Sequence, residues 1–117
     1  MPSPVTVTAN FVDLAGNSVV GVLSAYLIIP SGVNAFVAGT GMIAPKVVQS
    51  SLVSAPSVSL FGNDNITDQA LNLNLLDTYY TVLLMDSGNR AIWKASYSFT
   101  GAGPFNLLSY PPLDTLS

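Results

Sequence analysis

Residues 78–100 read TYYTVLLMDSGNRAIWKASYSFT, and this stretch decides the fold class. Its first part, Thr78 to Met85, is rich in aromatic and aliphatic residues of the kind that strands prefer. Residues 86–89 follow as a turn signal containing glycine, typical of the connection between antiparallel strands. From Ala91 onward apolar and polar residues alternate with a period of two, which indicates a half-buried strand. The stretch is therefore predicted to form a β-hairpin.

The second strand of this hairpin offers the clearest candidate core face. Its apolar side is formed by Trp93, Ala95, Tyr97 and Phe99, and its polar side by Lys94, Ser96, Ser98 and Thr100. Because exposed aromatic rings also stack on sugars, a carbohydrate-binding face is an alternative interpretation. The regular alternation favours a core face, with Trp93 as its anchor.

The same signals recur outward from the hairpin along the rest of the chain. Strands are predicted at residues 5–11, 19–29, 46–53, 57–61 and 105–108, with a shorter one at Phe36–Val37. Residues 13–17 repeat the Asp…Gly-Asn pattern of the hairpin turn, residues 62–65 form another turn, and residues 67–76 are predicted to be extended. Seven or eight short strands with regular turns indicate an all-β fold, an antiparallel β-sandwich.

The length fits a single domain spanning residues 1–117, with extended arms at about 1–4 and 109–117 where prolines cluster. A stiff apolar arm loses little entropy when it docks on a neighbouring subunit. The candidate interface therefore combines arm residues with tyrosines whose place in the core is uncertain from pattern alone: Pro2, Pro4, Tyr79, Tyr80, Tyr110, Pro111, Pro112 and Leu113.

Charge is unusually scarce in this sequence. Only 8% of residues are charged, against about 25% in ordinary soluble domains, while 50% are hydrophobic. One interpretation is a monomer whose surface is covered by Ser, Thr and Asn. The other, which we favour, is that neighbouring subunits cover much of the surface, because permanent interfaces are the more hydrophobic ones.

The residue inventory argues against several classes of function. The chain has no His, Cys or Glu, so the usual general acids, bases and nucleophile–base pairs are missing and we expect no enzyme. No cofactor is expected. The oxygen-rich run Asn63, Asp64, Asn65 and Asp68 resembles a Ca²⁺ loop in composition but lacks the bidentate Glu, so an ordinary turn is favoured and no metal is expected.

Nucleic acid and membrane are not expected partners. A net charge of −3 with three basic residues does not provide clustered phosphate contacts. The apolar run from Val19 to Pro30 is too short to span a bilayer. The start, Met1 to Pro4, carries no basic region followed by an apolar stretch, so we expect no signal peptide and synthesis in a cytoplasm without export by the usual route.

An ordered series of turns and aromatic residues resembles β-sandwich domains of phage and prophage virions, of the prealbumin-like or immunoglobulin-like type. The residues that carry the resemblance are Phe61–Thr67, Thr78–Val82, Asp86–Asn89, Trp93, Tyr97–Phe99 and Gly101–Gly103. It covers most of the chain, from about Val5 to Leu108. It departs at Asp68, where such domains often carry proline.

The resemblance implies a virion component. The expected function is that of a capsid decoration, or cement, protein that bridges subunits of the shell, with the major capsid protein or other virion subunits as partners. Self-association as a homo-oligomer, for example a trimer, is also expected. The alternative is a receptor- or glycan-binding module of a tail or fibre, which predicts aromatic rings exposed on loops.

Overall fold

The computed structural model describes residues 3–30, 32, 34–68 and 78–113, and within them the regular structure is almost entirely β. The described residues form ten strands and one turn of 3₁₀ helix at Asn63–Asn65. The strands are β1 (Val5–Thr8), β2 (Val20–Ile28), β3 (Ala35–Val37), β4 (Val47–Gln49), β5 (Val53–Ser54), β6 (Ser57–Leu60), β7 (Ile66–Asp68), β8 (Tyr79–Met85), β9 (Ala91–Tyr97) and β10 (Phe105–Asn106).

Two sheets pack face to face, which confirms the predicted sandwich class. The larger sheet has the strand order β4-β2-β8-β9, with β5 also paired to β2, and the smaller has the order β10-β1-β6. A separate two-stranded ribbon joins β3 to β7. The pairing is antiparallel, as predicted, except that β10 runs parallel to β1, with Val7 opposite Phe105.

Alternation along each strand places one row of side chains between the two sheets. In the larger sheet this row includes Leu23 and Ala25 of β2 and Val82 and Leu84 of β8, all of them essentially inaccessible. In the smaller sheet Val7 of β1 faces them. Burying a side chain of this size contributes roughly 1.5–3 kcal/mol, so this two-sided row is the main source of stability.

Aromatic rings fill one side of this core. Phe99 lies within 5.1–5.8 Å, centroid to centroid, of four other rings: Tyr80, Tyr97, Phe105 and Tyr110. Trp93, expected to anchor the core, is instead half-buried at its flank, where it packs on Phe11 at 4.9 Å. The predicted core face of β9 is correct, but Phe99, just beyond the end of the strand, is its centre.

The predicted strand over residues 46–53 is divided in two. β4 pairs with one end of β2 and β5 with the other. Between them Ser50 exchanges two hydrogen bonds with Leu23, one from its own N–H (2.8 Å) and one accepted by its Oγ (2.9 Å). A side-chain oxygen thus takes the place of a backbone acceptor, and the strand is interrupted without leaving the β2 amide unpaired.

The two Asp…Gly-Asn turns share one geometry, as predicted. In each, Oδ1 of the leading Asp13 or Asp86 accepts from the amides two and four residues later, at 2.9 and 3.0 Å. The fourth residue adopts positive φ in both turns, and it is Gly16 (82°) in one and Asn89 (62°) in the other. The amide of Arg90 bound to the Asp86 carboxylate is the main cause that holds the pKa of that group below its usual value.

Substituting Gly21 by alanine is expected to destabilise the fold. A Cβ at this position of β2 would lie 2.8 Å from both the carbonyl oxygen of Met85 and Cδ1 of Leu84. Because the oxygen belongs to the backbone of the neighbouring strand, relief requires the strands to shift, at a cost of about 1–3 kcal/mol. Urea denaturation measures this directly. Gly41→Ala is the matched control, since a Cβ there meets nothing within 4 Å, and equal effects of the two changes would contradict the argument.

Candidate interaction surfaces

Exposed apolar side chains gather at one end of the sandwich, which we call the hairpin end. This is the end at which β2 begins, β8 ends and β9 begins. Six of its large hydrophobic side chains are exposed: Val12, Leu14, Val20, Leu52, Val53 and Ile92. Leu14 is fully exposed and Val12 is 63% exposed. Exposed apolar side chains concentrated at one end of a domain mark a candidate protein–protein contact site.

Backbone pairing holds the segments of the hairpin end together. Val20 and Gly21 pair with β5, which places Val53 beside the start of β2. The turn at residues 13–17 is closed by a bridge between Val12 and Ser18, and the amide of Val19 donates to Phe11 O. Because Phe11 packs on Trp93, the same turn lies next to the start of β9, where Ile92 is exposed.

The two sheets present very different outer faces. The face of the larger sheet that points away from the core, here called the outer sheet face, carries mainly apolar side chains: Val22, Tyr26, Ile28, Val47, Tyr79, Leu83 and Met85, with Ser24, Gln49, Thr81, Lys94 and Ser96 among them. The smaller sheet presents a hydroxyl face made of Thr6, Thr8, Ser57 and Ser59, which pair directly across β1 and β6. Solvated faces of antiparallel sheets are normally polar, so the outer sheet face is the unusual one.

The predicted interface residues do not form one site. Pro4 is exposed at the start of β1, whereas Pro111, Pro112 and Leu113 are exposed along β9, where the Leu113 amide donates to Ser96 O at 2.8 Å. Pro2 lies outside the described residues. The two arms therefore occupy separate parts of the surface.

Of the three tyrosines in the predicted interface, only Tyr79 lies on one of the two candidate surfaces. It is half-buried on the outer sheet face, opposite Ile28. Tyr80 points the other way, into the core, where its hydroxyl donates to Phe61 O at 2.7 Å and burial raises its pKa far above the usual range. The prediction that Tyr80 contacts a partner is inconsistent with this placement, because alternation along β8 directs it inward.

Tyr110 also belongs to the folded body and not to a free arm. Two amides, of Ser109 and Tyr110, donate to Asn106 O, so the chain turns back after β10. The ring then packs against Tyr97, Phe99 and Phe105, and its hydroxyl donates to Ser98 O at 2.9 Å. The C-terminal arm predicted from residue 109 therefore begins only after Tyr110.

The oxygen-rich run at residues 63–65 is a structural turn, as favoured from the sequence. Asn63 is buried, its Nδ2 donates to Thr78 Oγ1 at 2.9 Å and its Oδ1 accepts from the Phe99 amide at 2.8 Å. The exposed Asp64 accepts from the Gly101 amide. Within the described residues, no three acidic, His or Cys side chains lie together as a metal site would require.

The sequence pattern did not predict the hairpin end, although it contains one signal for it. Leu14 is an apolar residue in the middle of a tight turn, where no position is directed toward a core. An apolar side chain at such a position has no structural purpose in the isolated domain. Val12, Val53 and Ile92 gave no comparable signal, because each falls on a strand or bridge whose neighbours are set by long-range pairing.

Comparisons with other proteins do not identify a family for this chain. No protein-family model matches the chain, and no curated protein or solved structure matches it either. The resemblance to phage virion domains therefore stays a prediction. In the part of the chain that the structure describes, no helix has the length and apolar character needed to cross a membrane.

Proposed function

We propose that this chain is a structural protein of a phage particle, a decoration protein that binds the outside of the capsid and bridges its subunits. The single observation that carries the proposal is the hairpin end, where six large apolar side chains are exposed together. In this proposal the hairpin end contacts the shell, the major capsid protein is the partner, and the chain also associates with copies of itself.

The scarcity of charge supports a permanently bound state. Six acidic and three basic side chains are distributed over an accessible surface of 6768 Å². Three of these nine, Asp13, Asp86 and Arg90, lie in the two turns of the hairpin end, where Asp86 and Arg90 form an ion pair at 3.1 Å. A surface with few charges overall loses little hydration of charges when a partner covers it. Contact with a protein surface is thus favourable at about 25 cal/mol per Å² before the costs of association.

The alternative, a glycan-binding tail module, has less support from the geometry. It predicts aromatic rings exposed on loops, yet every aromatic side chain of the chain is buried or half-buried. Its candidates are Tyr79, Tyr80 and Tyr110. Tyr80 and Tyr110 are held in the aromatic core, and Tyr79 is half-buried on the outer sheet face and not on a loop. The alternative remains a prediction that a glycan array tests.

Leu14→Asp is expected to weaken binding to bare capsids by about 10- to 100-fold. The change removes roughly 1.5–3 kcal/mol of apolar burial and introduces a carboxylate into the contact. Because Leu14 is fully exposed in the free domain, its stability should not change. Co-sedimentation of the purified chain with capsids that lack it measures the affinity, and thermal unfolding verifies the fold.

The matched control is Ile43→Asp, which adds the same charge at an exposed aliphatic residue beside the β3–β7 ribbon, away from the hairpin end. It should bind capsids as the unmodified chain does. If the unmodified chain ignores capsids, the decoration proposal fails. If both variants bind equally well, the hairpin end is not the contact.

A further inference from the structure

We propose that two copies of this chain associate back to back through their outer sheet faces, related by a two-fold axis that runs close to the strand direction between β2 and β8. The inference names the surface used for the self-association included in the proposed function. It concerns the outer sheet face, which adjoins the hairpin end at Val20 and Ile92. Its test uses the chain without capsids and substitutions away from that border, so each proposal can fail while the other holds.

Four polar side chains of the outer sheet face already form hydrogen bonds within the chain. Nε2 of Gln49 donates to Ser24 Oγ at 3.0 Å, and the hydroxyls of Thr81 and Ser96 lie 3.3 Å apart as a hydrogen-bonded pair. Ser24 is inaccessible even in the monomer. Covering these groups therefore leaves their hydrogen bonds intact and avoids the penalty for unpaired buried polar atoms.

Among the described residues, Lys94 is the single ionised side chain of this face, and the register supplies its counterpart. Pairing across the sheet places Gln49, Ser24, Leu83 and Lys94 in one row, in the order β4-β2-β8-β9. The proposed axis reverses that order, so that Lys94 lies over the partner's Gln49 and Leu83 over the partner's Ser24. The Gln49 amide uses its nitrogen within the chain, which leaves Oε1 to accept from the partner's Lys94.

A second row is also compatible with self-packing. It contains Val47, Tyr26, Thr81 and Ser96. The same axis sets Tyr26 against the partner's Thr81, and Val47 against the partner's Ser96. Neither row brings two like charges together. A surface that binds a second copy of itself has to meet this condition.

The area of the face predicts a weak dimer. At a strand spacing of about 4.8 Å, seven residues each of β2, β8 and β9 and the three residues of β4 give a flat footprint of roughly 380 Å² per copy. Stable interfaces bury about 800 Å² of accessible surface on each partner, about twice this flat footprint. A dissociation constant on the order of 1–100 µM is therefore expected.

Sedimentation velocity over a concentration series tests the proposal. The unmodified chain should shift from monomer to dimer as its concentration rises. Leu83→Asp, at the centre of the face, and Val47→Asp, at an exposed edge position, should each weaken the dimer at least ten-fold. Ser59→Asp on the hydroxyl face is the control, with the same added charge, and should dimerise as the unmodified chain does. Circular dichroism distinguishes a folded monomer from an unfolded variant.

Cross-linking tests the predicted register. The chain has no cysteine, so the double variant Val47→Cys/Ser96→Cys carries the only thiols. Within one copy these positions are three strand spacings apart, about 14 Å, whereas in the proposed dimer each lies over the other position of the partner. A short bismaleimide should join copies into covalent dimers, and the single variant Ser59→Cys should not be joined above the collisional level.

The proposal is overturned if the unmodified chain stays monomeric well above 100 µM. It is equally overturned if the chain forms a trimer, or if Leu83→Asp and Val47→Asp dimerise like Ser59→Asp. Cross-linking of Val47→Cys/Ser96→Cys no greater than that of Ser59→Cys would also contradict it.

Discussion

Phe99→Ala is expected to lower the free energy of unfolding by about 3–5 kcal/mol, because it removes the ring at the centre of the aromatic core. Phe99 is inaccessible to solvent and lies within 5.8 Å of four other rings. These rings come from β8, β9, β10 and the turn after it, so a cavity here loosens both sheets and the C-terminal segment together. A domain of this length has about 6–17 kcal/mol of stability in total, so the variant should fold but unfold at much lower urea concentrations.

Phe36→Ala is the control for this change. Phe36 is half-buried on the β3–β7 ribbon, outside the aromatic core, so the same substitution should cost clearly less. Near-ultraviolet circular dichroism should change strongly for Phe99→Ala and little for the control. A loss below about 1.5 kcal/mol for Phe99→Ala would mean that the surrounding rings collapse into the space, and that the core does not depend on this residue.

Asn63→Ala is expected to destabilise the fold by about 2–4 kcal/mol, although it removes a small polar side chain. The amide of Asn63 connects three parts of the chain: its own turn, the start of β8 through Thr78, and the end of β9 through Phe99. Without Oδ1, the buried N–H of Phe99 loses its acceptor, and an unpaired buried donor costs more than a hydrogen bond gains.

Asn65→Ala gives the matched comparison, since Asn65 lies in the same 3₁₀ turn but is half-exposed. Its change in unfolding free energy should stay within about 0.5 kcal/mol. Hydrogen exchange provides a residue-level measurement for Asn63→Ala, in which the Phe99 amide should lose protection before the amides of β2. Similar losses of stability for the two variants would show that the turn, and not the buried amide, is what matters.

Several parts of the structure were predictable because the information for them is local. The hairpin of β8 and β9 follows from alternation and from the turn between them. The geometry of both Asp-led turns follows from one side chain that binds amides two and four residues later. The inward direction of Tyr97 and Phe99 follows from the period of two. Each of these signals lies within about ten residues of sequence.

The candidate surfaces were not predictable to the same extent. Tyr80 was assigned to an interface because two consecutive tyrosines occupy opposite faces of a strand, and pattern alone did not decide which of them faces the core. Tyr110 was assigned to an arm because the prolines after it suggested an extended tail. Its packing against Phe105 depends on a turn held by Asn106 O, for which the sequence carried no distinct signal.

The sequence by itself determined that this chain is an all-β sandwich with few charges and with aromatic residues in its core. Only the tertiary structure decided that β10 runs parallel to β1, that β2 pairs with β4, β5 and β8, and that residues 12–14, 52–53 and 92 meet at the hairpin end. The physical reason is that strands pair through backbone groups common to all residues. Side-chain patterns therefore specify which face is buried but leave the choice of neighbour to the packing of the whole chain.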